Sequence, residues 1–208
     1  MTLAEFAYGT TLLLILLDPV DLAFCHLGLT DGVRRAIRQR IAVRACLFAF
    51  GALAVAAIAS VVAFALLPVA PGIVRIGLGL VILRAALDMV SGRANAARRA
   101  LEVEYSSKQD PAMMPLATPM ICSPGVLAGG LLVAAGGGFA PAGLGYVLGV
   151  LAAAIGALLA MLILARLVRA AIDRAWVNAQ SRFLGVVLVV LAIQAIYDGL
   201  LALGLTPV

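Results

Sequence analysis

Two carboxylates flank a proline inside the first apolar stretch, in Leu16-Leu17-Asp18-Pro19-Val20-Asp21. Pro19 has no amide proton and disfavours helix at Asp18, so a break is predicted there, with backbone carbonyls set free. An aspartate at the centre of a membrane helix costs about 2.5–3.5 kcal/mol on insertion scales and needs a partner or a cavity. Asp18 and Asp21 are therefore candidates for binding a coupling proton or cation, and Asp18, Pro19 and Asp21 for lining a solute site on a discontinuous helix. The simpler account is a kink whose aspartate caps the following half-helix; two acids are more than a cap requires.

The second such element is Pro115-Leu116-Ala117-Thr118-Pro119-Met120-Ile121-Cys122-Ser123-Pro124-Gly125. Its three prolines rule out a continuous helix. Unwound backbone at membrane depth is tolerated only where it is buried in protein or faces water. Thr118, Pro119, Ser123 and Gly125 are the solute-binding candidates here, with Ser123, Gly125 and the following amides forming a helix N-terminus that attracts a carboxylate. Against this stands a hydroxyl-satisfied kink, with Gly125 and Gly129 packing as a small-xxx-small pair.

Arg84 and Asp88 lie four apart, on one helical face. Arg84 is nine residues beyond Arg75, roughly 13 Å deeper along a helix. It either holds a substrate carboxylate or answers Asp18 or Asp21, or it forms a mutually neutralised structural pair with Asp88. Gln194 and Asp198 share a face by the same spacing, which makes Gln194 a solute-binding candidate and Asp88 and Asp198 further coupling-ion candidates. His26 is the only histidine. A structural role suits a lone histidine near an interface better than a proton relay. Trp176 among arginines reads as an interfacial anchor.

No His-Glu-x-x-His, Gly-x-Ser-x-Gly or Walker motif occurs, so neither an enzyme nor an ATP-driven pump is expected. Cys25, Cys46 and Cys122 each sit in an apolar run and read as small buried hydrophobes, with no disulfide or zinc pattern. No cofactor and no bound metal is implied.

The elements that must carry these residues follow from composition. Of 208 residues 64% are hydrophobic and 12% charged, against roughly 25% charged in a soluble domain. An ordinary soluble enzyme, a disulfide-stapled domain and a disordered chain are excluded. The expectation is an all-α polytopic membrane protein. Its N-terminus lacks the basic region of a signal peptide, so the first apolar run is expected to be retained.

Six spans are predicted: 5–29, 41–67, 73–90, 113–135, 143–164 and 183–203, with a polar linker over 92–111. The 55 residues between Asp110 and Arg166 carry no formal charge. As one helix they would be roughly 80 Å long, so they must form two spans. Gly136-Gly137-Gly138-Phe139-Ala140-Pro141 is the expected break. Thirteen of the 15 basic residues fall on three alternate connections: Arg34 to Arg44, Arg93 to Lys108, and Arg166 to Arg182. By the positive-inside rule these face the cytosol and both termini face outward. The net charge of +5 is thereby a topology signal, and no nucleic-acid partner is expected.

Arg75 and Gly92 recur as Arg182 and Gly199 at the same interval, and Asp18-Pro19 has a counterpart in Thr118-Pro119. Two three-helix halves are implied, residues 1–91 and 112–208. An odd number of spans per half inverts the second half, the arrangement of many transporters.

These motifs resemble the MarC family of bacterial inner-membrane proteins, also described as a small-neutral-amino-acid transporter family. The carriers are Asp18-Pro19; Arg75 with Gly77 and Gly79; Pro115-Leu116-Ala117-Thr118-Pro119 with Ser123-Pro124-Gly125; and Ser181-Arg182-Phe183-Leu184-Gly185 leading to Gly199. The resemblance spans essentially the whole chain. It implies six spans in two halves, and export or exchange of glycine, alanine and similar amino acids. The family usually has Asn where this chain has Asp18, and an apolar residue where it has Arg84. The added charge suits a charged or zwitterionic substrate, or a coupled cation.

The expectation is thus a secondary transporter of small neutral amino acids or a similar polar solute, driven by a proton or cation gradient, with Asp18-Pro19 and Thr118-Pro119 meeting at the midplane. Its partners are the solute, the coupling ion and the lipid bilayer; association into homo-oligomers stays open. Two alternatives are a divalent-cation transporter or channel using Asp18, Asp21, Asp88 and Asp198 as oxygen ligands, and a scaffold that transports nothing.

Overall fold

The computed structural model describes residues 2–67, 69–105, 111–136 and 143–204. Every regular element among them is helical. The first span is two helices, α1 (Leu3–Leu17) and α2 (Pro19–Leu29), bent by 40° at Asp18. α1 starts with a capping box: the Thr2 amide donates to Glu5 at 2.7 Å and the Glu5 amide to Thr2 at 3.3 Å. α3 (Arg35–Leu66) and α4 (Pro71–Val90) follow.

α5 covers Arg93–Tyr105, so most of the stretch expected to be a polar linker is helix; Lys108 and Asp110 lie outside the described residues. Alanine and arginine are good helix formers, and hydropathy finds only the lipid-crossing part of a helix. The same reason moves the start of the second span to Arg35 and of the sixth to Arg174. The fourth span is an irregular segment, Ala112–Ile121, followed by α6 (Pro124–Gly136) at an angle of 59°. α6 stops where the glycine run begins; Gly137 to Pro141 lie outside the described residues. α7 (Leu144–Ile163), a short α8 (Ala165–Ala171) and α9 (Arg174–Ala202) follow.

α3, α7 and α9 are each long and apolar enough to cross a membrane, and the two bent pairs bring the count to five. α4 covers the third span of the expected arrangement and carries Arg75, Arg84 and Asp88.

The bent first span lies at the centre. Leu12, Leu13, Leu16, Leu17 and Leu22 are buried, while Leu47, Val55 and Val62 of α3 and Val186, Val190 and Ile193 of α9 are exposed. Apolar exposure of this kind on long helices suits contact with lipid. α4 and α9 form the most extensive helix pair, and they run antiparallel. A Cβ on Gly199 would lie 2.7 Å from the Gly72 carbonyl, one on Gly79 would lie 2.7 Å from Ile196, and one on Gly185 would lie 2.8 Å from the Val90 amide. Small residues let the two backbones approach to this distance. Arg75 of α4 donates to the Ala135 carbonyl at 3.2 Å, placing a cation at the negative end of α6.

Candidate functional site

Asp18 stands at the junction of α1 and α2 with φ 47° and ψ 71°, in the left-handed region. Aspartate tolerates this region better than most residues. Its side chain is fully enclosed. The carboxylate makes no capping hydrogen bond to α2; it accepts one from the Ser181 hydroxyl on α9. The other oxygen, Oδ1, has no partner among the described residues. The Ser181 bond, rather than a completed cap, is the hydrogen bond this side chain makes. It joins the break to a helix 163 residues away in sequence.

Asp21, in the first turn of α2, is also buried. Arg98 of α5 donates to its Oδ2 at 3.1 Å and to the Leu17 carbonyl at 3.3 Å. Leu17 ends α1, and the break denies its carbonyl the usual intrahelical donor. One guanidinium thus neutralises an acid at the start of α2 and satisfies a carbonyl at the end of α1.

In the fourth span, Met114 and Thr118 have extended backbones, with φ −131° and −132°. Each precedes a proline, which forbids helix to the residue before it. The Cys122 amide reaches back to the Ala117 carbonyl at 2.9 Å. The Val126 amide donates to Ser123 Oγ at 3.4 Å, and Pro124 starts α6 where its missing amide proton is not needed.

Between these parts lies a cavity of about 550 Å³. Arg84 and Asp88 of α4 line it, paired with each other. Pro119, Ser123 and Gly125 line the opposite side, and Arg93 and Arg98 stand at the α5 wall. Leu16 of α1 completes the lining. Glycine keeps this wall close: a Cβ on Gly125 would lie 2.9 Å from Ala85 Cβ.

The cavity therefore brings together Arg84, Asp88, Pro119, Ser123 and Gly125. Asp18 and Asp21 are not in its lining; Asp21 connects to it through Arg98, and Asp18 bonds Ser181 instead. Pro19 is half-buried, and Thr118 is exposed and outside the lining. Asp18 bonds Ser181 and Thr118 stands exposed, while Leu16 of α1 and Pro119 of the fourth span line the same cavity. Gln194 donates to Asp198 at 2.8 Å on α9, away from the cavity. Arg84 and Asp88 answer each other rather than Asp18 or Asp21. His26 is fully enclosed, and neither ring nitrogen has a partner among the described residues. Cys25 and Cys46 are buried and free, and the partly buried Cys122 thiol lies 3.8 Å from the Ala49 carbonyl.

Sequence reasoning missed Arg98 and Ser181. Arg98 reads as a loop cation in the sequence, because no apolar run marks α5. Ser181 stood in the Ser181-Arg182-Phe183-Leu184-Gly185 stretch, where a small polar residue beside an apolar run was the available signal.

No curated protein and no solved structure matches this chain. Among protein families, residues 3–203 match the one described as MarC family integral membrane protein. With up to five apolar spans, two of them bent, and nearly the whole length matched, the chain belongs to the MarC family of integral membrane proteins.

Proposed function

We propose that this protein is a secondary transporter, an exporter or exchanger of small neutral amino acids or a similar small polar solute, coupled to a proton or cation gradient. The observation that carries this reading is the cavity of about 550 Å³ in which Arg84 and Asp88 face the Ser123-Pro124-Gly125 start of α6. An amino acid is a zwitterion. Arg84 and the α6 terminus suit its carboxylate, and Asp88 suits its ammonium. A solute that separates the Arg84–Asp88 pair replaces one ion pair by two, which favours zwitterions over neutral solutes.

The coupling site in this reading is Asp18. It is enclosed, has one oxygen without a partner among the described residues, and sits where the first span changes direction. Protonation there weakens the Ser181 bond and so the hold of α9 on the break. Alternating access then rocks one three-helix half, 1–91, against the other, 112–208. The antiparallel α4–α9 pair supports this: a shift of 107 residues carries Arg75 to Arg182 and Gly92 to Gly199, as an inverted repeat requires. The three arginine-bearing connections favour a bacterial inner-membrane protein with both termini outside.

The divalent-cation reading is less well supported. Asp21 is paired with Arg98 and Asp88 with Arg84, while Asp198 accepts from Gln194. Among the described residues no three His, Cys, Asp or Glu side chains converge on a metal-sized site.

The test is flux of labelled glycine and alanine into proteoliposomes, with and without a pH gradient. Gradient-dependent flux that Arg84→Gln abolishes is expected. Absence of gradient-dependent flux for any small amino acid would sink the proposal.

A further inference from the structure

A second pocket, of about 240 Å³, lies at the arginine-bearing end of the bundle, between the start of α3, the end of α7 and α8. Arg35, Arg38, Gln39 and Arg166 supply its polar lining, and no carboxylate is among the lining residues. Arg38 is only 7% exposed. Its Nη2 is fully enclosed and has no hydrogen-bond partner among the described residues. The charges of Arg35 and Arg166 both act on it unfavourably, and Asp31 acts favourably without forming an ion pair with it. A buried guanidinium facing two like charges is costly unless an anion joins them. Three guanidiniums with a carboxamide beside them match the several oxygens of a phosphate group.

The rim points to the source of that phosphate. Of the lining residues, Leu164 is 49% exposed and Leu167 68%. These apolar side chains stand next to the cations in sequence, where the acyl chains of a lipid would continue from its headgroup. We propose that this pocket is a phosphate-group site, occupied by the headgroup of an anionic phospholipid, with Arg38 as the central ligand and Arg35, Arg166 and Gln39 around it. Basic pockets between helices at a membrane surface bind such headgroups on general electrostatic grounds. The site is separate from the solute cavity and does not depend on its assignment.

Native mass spectrometry of the full chain in detergent tests this, with phosphatidylglycerol, phosphatidylcholine or inorganic phosphate added. The wild type is expected to retain one phosphatidylglycerol in preference to phosphatidylcholine. Loss of charge-assisted bonds in Arg38→Gln should weaken this binding by roughly tenfold to a hundredfold. Because Arg38 is buried, the exposed pair Arg35→Gln and Arg166→Gln provides a variant that keeps its fold, and its binding should fall similarly. Inorganic phosphate that competes for the site without any lipid preference supports the phosphate site and assigns it to a soluble anion. Equal retention of phosphatidylglycerol and phosphatidylcholine by the wild type, with no competition by phosphate, overturns the proposal. So does undiminished binding in the double variant.

Discussion

Arg98 on α5 and Asp21 on α2 form a buried ion pair at 3.1 Å, with side-chain exposures of 12% and 5%. The pair is the seam between the expected linker and the broken first span. Without it, the carbonyl end of α1 and the carboxylate of α2 would both be buried and unanswered. The bond from the same guanidinium to Leu17 makes Arg98 a strut for the break as well as a counterion.

Removing one member leaves an uncompensated buried charge. Arg98→Gln and Asp21→Asn should each destabilise the protein by about 3–5 kcal/mol. The double variant Arg98→Met with Asp21→Leu should recover most of that loss, since a well-packed apolar pair is often neutral. Thermal unfolding in detergent of the two singles and the double tests this. An additive double variant would show that the two residues act independently.

Asp18 combines a left-handed backbone with a hydrogen bond from Ser181. Asparagine tolerates the same backbone, and its carboxamide oxygen accepts the same bond. Asp18→Asn should therefore unfold within about 1 kcal/mol of the wild type, while its flux loses dependence on the pH gradient. Ser181→Ala should cost about 1.5–3 kcal/mol, as for a hydrogen bond to a charged group. Flux with an unchanged gradient dependence in Asp18→Asn would remove Asp18 from the coupling site.

The α4–α9 pair offers a packing test with an internal control. A Cβ on Gly199 meets the Gly72 carbonyl at 2.7 Å, and backbone cannot give way as a side chain can. Gly199→Ala should cost about 1–3 kcal/mol. Gly77, on the same helix as Gly72, has nothing within 4 Å of its notional Cβ. Gly77→Ala should be neutral or stabilising by up to about 1 kcal/mol. Equal melting points for the two variants would contradict the close approach.

In the cavity, Asp88→Asn removes the carboxylate proposed to meet an ammonium and frees Arg84. It should raise KM for alanine by roughly tenfold or more. Gly125→Ala narrows the same wall, where Ala85 Cβ stands 2.9 Å from the notional Cβ, and should reduce transport of alanine more than of glycine. Initial rates across a concentration series in proteoliposomes separate the two effects. A KM for Asp88→Asn equal to the wild type would detach that carboxylate from solute binding.

By itself the sequence determined the class, the spans and the two breaks, since each follows from local chemistry. A long uncharged apolar run must cross lipid, a proline must interrupt a helix, and a residue before proline is pushed out of the helical region, into the extended one at Met114 and Thr118 and the left-handed one at Asp18. Arg84 and Asp88 were legible as a pair because four residues on a helix is a local spacing. Tertiary structure alone decided which distant groups answer the buried charges. Asp18 meets Ser181 and Asp21 meets Arg98 across 163 and 77 residues, and no periodicity along the chain encodes such partners. The same holds for the cavity. It exists because glycines let α6 approach α1 and α4, an outcome of backbone distance in three dimensions rather than of residue type at any one position.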